Sequence, residues 1–119
     1  MPAKRNAEIQ QPDEPIDFIT LLEVRADELE TFIEDWKRRS VIMEKADGFI
    51  SDTLEKSQLS DSAYQIINIS HWSSYNKWLA ATNNPTYAAQ LAADHSRATH
   101  VKVTRGFYRP VAGGMHFYD

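Results

Sequence analysis

The stretch Tyr64-Gln65-Ile66-Ile67-Asn68-Ile69-Ser70-His71-Trp72 is the strongest β signal in the chain, rich in β-branched and aromatic residues and free of glycine and proline. A strand turns successive side chains to opposite faces. Tyr64, Ile66, Asn68, Ser70 and Trp72 therefore share one face, and Gln65, Ile67, Ile69 and His71 share the other. Both faces carry apolar groups, so both call for cover.

The strand as a whole reads as Ala63 to Trp72; upstream of it, Gln58 to Ser62 reads as a polar turn and Phe49 to Ser57 as the strand hairpinned to it. Asp27 with Glu30 three residues later starts a helix in which Leu29, Phe32, Ile33, Trp36 and Met43 recur at helical spacing, ending at Gly48. Before it, Ile16 to Val24 alternates, with Ile16, Phe18, Thr20, Leu22 and Val24 on one face and Ile19 and Leu21 on the other. Downstream, Ser73 or Ser74 caps a short helix carrying Trp78 and Leu79. Asn84 followed by Pro85 makes a second cap, giving two short helices or one broken one. Thr99 to Arg109 gives the last strand, with Val101, Val103 and Phe107 on one face and Thr104 and Tyr108 on the other.

The order β, α, β, β, α, β is the split βαβ arrangement of ferredoxin-like α+β domains: an antiparallel four-stranded sheet with helices on one face. The bare face, apolar on its first and third strands, predicts a homodimer that stacks sheet on sheet. Residues 1–15 read as a flexible arm, 16–110 as the domain and 111–119 as a tail loosened by Gly113 and Gly114.

A chain of 119 residues has room for one core, because it buries only about two-thirds of its unfolded surface. With 42% hydrophobic and 25% charged residues it is too apolar for a disordered chain. Its net charge of −4, from 13 Lys and Arg against 17 Asp and Glu, gives no footprint for nucleic acid or an anionic membrane. The absence of cysteine excludes disulfides, thiolate nucleophiles and cysteine-based metal centres. The polar arm, with Pro2, Pro12 and Pro15, lacks the apolar core of a signal peptide, and the location read from it is cytoplasmic.

On the face of Asn68 and Trp72, a carboxamide beneath helices needs a hydrogen-bond partner, and a ligand carbonyl or hydroxyl could supply one. A plainer reading has Asn68 satisfied by backbone and Trp72 closing the core as an ordinary aromatic. Phe32 and Trp36 admit the same two readings, since the core under the helices is also where a cavity would open.

The segments Asp47-Gly48-Phe49-Ile50-Ser51 and Ile67-Asn68-Ile69-Ser70-His71-Trp72-Ser73-Ser74 resemble the antibiotic biosynthesis monooxygenase (ABM) family, of the dimeric α+β barrel superfamily. The shared features are a glycine–phenylalanine turn after the first helix and an N-x-x-x-W strand running into a serine-capped helix. Asp47 stands where the family often has proline. The resemblance extends from about Phe18 to Tyr108 and implies a cofactor-independent monooxygenase that oxidises a small aromatic or polyketide-like phenol. Asn68 and Trp72 would be its catalytic residues, and Trp78, Tyr64, Tyr87, Trp36 and Phe32 would bind substrate. No cofactor and no metal is implied. Where quinone-forming members tend to carry a tyrosine, this chain has Trp78, so Tyr64 or Tyr87 would have to supply a phenol. The alternative is a small-ligand binding or stress-related protein that keeps the fold without catalysis. Haem-degrading relatives use a helix histidine, a helix tryptophan and a first-strand asparagine. Here Ala81 and Leu91 fall at or near the helix positions and no asparagine lies between Ile16 and Val24, leaving His95 as the nearest candidate ligand.

The remaining polar groups have plain readings. His71 points away from Asn68, His95 and His100 flank a loop, and His116 lies in the tail, with no metal-ligand spacing among them. Lys37, Arg38 and Arg39 read as the solvent face of the first helix, and Glu28, Glu30, Glu34 and Asp35 as its continuation towards the start.

Overall fold

The computed structural model describes residues 8–97 and 100–113. Its elements are β1 (Ile16–Val24), a single 3-10 turn (Ala26–Glu28), α1 (Leu29–Glu44), β2 (Phe49–Lys56), β3 (Ile66–Trp72), α2 (Tyr75–Thr82), α3 (Pro85–Arg97) and β4 (Val101–Tyr108). The four strands form one antiparallel sheet in the order β2-β3-β1-β4. This is the ferredoxin-like α+β fold read from the sequence. The arm residues 1–7, Thr99 and the tail from Gly114, including His116, lie outside the described residues.

Local chemistry accounts for the boundaries. Ser74 caps α2, its hydroxyl accepting from the Lys77 amide at 3.1 Å. Asn84 precedes Pro85, and its side-chain oxygen accepts from the Thr86 amide at 2.8 Å, so α3 starts anew rather than continuing α2. Gly48 turns the chain out of α1 at φ +90°, and a Cβ there would lie 2.4 Å from the Lys77 Cβ, so only glycine fits. Its carbonyl accepts from the Ser73 amide at 2.8 Å, fastening this turn to the start of α2. β3 is shorter than the sequence suggested: Ala63 to Gln65 lie outside it, and the Gln65 side chain instead accepts from the Val24 amide at 2.8 Å.

Residues 8–15, the described part of the arm, lie against the end of β4. The Arg109 guanidinium donates to the carbonyls of Gln10, Gln11 and Pro15, and Ile9 packs on the core beside Trp72.

The helix-facing side of the sheet holds two apolar clusters. One joins Ile16, Met43, Trp72 and Ala81; the other joins Leu22, Val24, Phe32 and Ile66. Between them the strands contribute polar residues: Thr20, Asn68 and Ser70, all buried, with Arg105 in register with Thr20 and Asp52 in register with Ser70. Apolar ends and a polar middle leave room at the centre of the layer, and the cavity lies there. On the other face, Ile19, Leu21, Ile67 and Ile69 are half-buried and Tyr108 is exposed.

Candidate functional site

The cleft between the sheet and helices α1 and α3 has two lobes of about 440 and 420 Å³ that share Phe18, Trp36, Arg39, Asn68, Tyr87, Leu91, His95 and Arg105. Each lobe has the size of a small-molecule site. The first extends over Trp72, Trp78, Ser70, Asp52 and Phe49, and the second over Phe32, Thr20, Val103 and the acids Asp35 and Asp94.

β3 alternation delivers Asn68 to the cleft, where it is 8% exposed. Its amide donates to the Thr53 carbonyl of β2 at 2.9 Å, and no described donor reaches its Oδ1. Trp72, 2% exposed, packs edge-on to Phe49 with centroids 5.4 Å apart, and its indole donates to the Ser70 hydroxyl at 3.2 Å. Trp72 is thus both a core residue and a wall of the first lobe. Trp78 meets Phe18 at 5.0 Å and Phe107 at 4.7 Å, forming an aromatic corner at the same end.

The site residues read from the sequence divide accordingly. Asn68, Trp72 and Trp78 line the first lobe, Phe32 the second, and Trp36 and Tyr87 both. Tyr64 is the exception: it lies before β3 begins and lines neither lobe, so strand alternation did not extend to it. Among the described residues, no group of three or more His, Cys, Asp or Glu could hold a metal ion.

One acid and one base assigned to solvent are buried instead. Asp35 is 1% exposed and Arg39 8%, because both lie on the same helical stripe as Phe32, Trp36 and Met43. Arg39 Nη1 pairs with Asp94 Oδ2 of α3 at 2.7 Å, and the Gln90 amide donates to the other oxygen at 2.8 Å. Burial opposes the charge on Asp94. The Arg39 and Gln90 hydrogen bonds and the nearby guanidinium charges outweigh it and hold the carboxyl below its ordinary value. Asp35 pairs with Arg38 and, at 3.1 Å, with Arg97, while its Oδ2 is buried without a described partner. His95 sits in the last turn of α3, flanking the connection to β4, and reaches both lobes. His71 lies on the opposite side of the sheet, 2.5 Å from Asp17 Oδ1.

Asp52 and Arg105 are further polar residues that the sequence reading did not single out. Asp52 is half-buried on the β2 side, and burial, then the Glu44 charge, raise its carboxyl above the ordinary range. Arg105 is exposed at the β4 side. Its signal was available: it falls between Val103 and Phe107, on the helix-facing phase of β4.

No family model matches this chain, and no curated protein matches it in sequence. Solved structures do. A candidate monooxygenase from Shewanella loihica PV-4 is 25% identical with a TM-score of 0.67, covering 84% of this chain and 97% of its own. SnoaB, a cofactor-independent oxygenase from Streptomyces nogalater, is 16% identical with a TM-score of 0.71, covering 84% and 96%. A candidate antibiotic biosynthesis monooxygenase from Caulobacter crescentus CB15 is 12% identical with a TM-score of 0.70, covering 85% and 93%. These similarities cover more than four-fifths of the chain, which shares its fold with structures of antibiotic biosynthesis monooxygenase-like proteins.

Proposed function

We propose that this protein is a cofactor-independent monooxygenase that oxidises a small aromatic or polyketide-like phenol with dioxygen, working as a cytoplasmic homodimer joined through the bare sheet face. The observation that carries the reading is the cleft. It is walled by Trp36, Trp72, Trp78, Tyr87 and Phe18, and has Asn68 at its centre and Asp52 at its edge. Of the described helices, none is long and apolar enough to cross a membrane.

In this reading the aromatic walls bind and flatten the substrate, and the cleft excludes much of the bulk water. Asp52, held basic by burial and by Glu44, takes the proton of the substrate hydroxyl. The resulting phenolate gives one electron to dioxygen, and the radical pair recombines to form a carbon–oxygen bond. The peroxide takes the proton back from Asp52, and loss of the proton on the oxygenated ring carbon breaks the O–O bond, leaving one oxygen atom as a quinone carbonyl and releasing the other, with those two protons, as water. Asn68 stabilises the charge that develops on oxygen.

Oxygen uptake with a panel of hydroxynaphthalenes and anthrones tests the proposal. The wild type should exceed buffer by orders of magnitude with at least one member, and Asn68→Ala should lose most of that rate. Uptake no faster than buffer across the panel would refute it. A binding protein without catalysis is the second reading. Two observations favour it: the Asn68 amide already donates to Thr53, and position 78 holds a tryptophan rather than a phenol.

A further inference from the structure

The charges around the cleft do not cancel evenly. Asp94 is paired with Arg39, and Asp35 with Arg38 and Arg97, so the buried acids of the second lobe are matched by arginines. Arg105 reaches both lobes and makes no hydrogen bond or ion pair with any described residue. It stands on the strand face of Val101, Val103 and Phe107.

Register fixes where this cation sits. Thr20 lies between Asn68 and Arg105, so the β4 backbone is two strands from Asn68, roughly 10 Å at ordinary strand spacing. Asp52 lies on the far edge strand, beyond Asn68 and Ser70. The floor of the cleft therefore runs from a carboxyl on β2 to a guanidinium on β4, neither paired with a described residue, with Ser70, Asn68, Thr20 and Phe18 between them. A neutral planar ligand would leave both ends without a polar match. An anion at the β2 end would meet Asp52 and be repelled, whereas at the β4 end it would meet a planar fork suited to bidentate pairing.

We propose that the substrate is an aromatic carboxylate, with its carboxylate held by Arg105 and the end to be oxidised directed towards Asn68 and Asp52. This inference rests on the cleft being an aromatic-substrate site, and it names the substrate class. Arg105 acts here as a specificity determinant.

Equilibrium binding without turnover tests it, using anthraquinone-2-carboxylate and anthraquinone-2-carboxamide and following quenching of tryptophan fluorescence. The wild type should bind the carboxylate at least fivefold more tightly, with the preference shrinking as salt is added. Arg105→Gln should bind both alike, with carboxamide affinity unchanged, and Arg105→Lys should restore part of the preference. Lys102→Gln, on the opposite strand phase, should behave as wild type. Equal affinity for the two ligands in the wild type, no binding of either, or an undiminished preference in Arg105→Gln would overturn the proposal. Oxygen uptake measured in parallel separates this from the oxygenase reading: silent uptake with charge-selective binding intact would remove the oxygenase and leave the anion site standing.

Discussion

Asn68 has one amide hydrogen committed to Thr53, and its remaining hydrogen-bonding capacity is what the cleft can use. Removing the side chain should therefore lower turnover more than stability. Asn68→Ala is expected to reduce kcat by about 10²-fold, the usual cost of losing one preorganised donor, with a small change in urea midpoint. An unfolded variant would instead assign Asn68 to structure. Asp52 gives a pH signature. Its folded-state pKa is raised, so the basic form is lost at a pH above the ordinary carboxylate range. The kcat/KM profile should fall as pH drops through that raised value, and Asp52→Asn should lack this limb and be slower throughout. Residue identity explains what could be read early. Asn68 and Trp72 were legible because period-two alternation puts both on one face, while Tyr64 failed because the strand starts at Ile66.

The helices show where pattern reading lost information. Lys37-Arg38-Arg39 looks like a solvated run, yet Arg39 is seven residues after Phe32, on the apolar stripe, and Asp35 is three after it. Charge outweighed periodicity in the reading; the partner that makes their burial tolerable, Asp94, lies on another helix and is invisible to local patterns. The pair joins α1 to α3 over the cleft. Arg39→Met should leave Asp94 buried without its cation and destabilise the fold by about 3 kcal/mol, with Arg39→Met/Asp94→Leu recovering much of it, both read by urea unfolding. The sign of the pH dependence follows from the lowered Asp94 value. Its contribution is complete above the ordinary aspartate pKa of about 3.9 and is lost as pH falls through the folded value, so Asp94→Asn should flatten the acid limb of the stability curve. At the turn before β2, Gly48→Ala should cost about 1–3 kcal/mol, because φ is +90° and Lys77 occupies the space.

For the molecule as a whole, element order was legible because each strand and helix carries its own period, and the fold follows from that order. The cleft was not, since it arises where two apolar clusters on four elements stop short of each other around Thr20, Asn68 and Ser70. The half-buried row Ile19, Leu21, Ile67 and Ile69 on the bare face carries the homodimer proposal. Light scattering at micromolar concentration should report twice the chain mass, and Ile67→Lys should report the chain mass.

The oxygenase reading is tested most directly by isotope. Chelator-treated protein is supplied with labelled dioxygen and a phenol that it turns over, and the product is examined by mass spectrometry. One labelled oxygen atom in the quinone and the other in water, at a rate unaffected by the chelator and reduced in Asn68→Ala, is the result expected. A product oxygen drawn from water, or a rate abolished by the chelator, would contradict it.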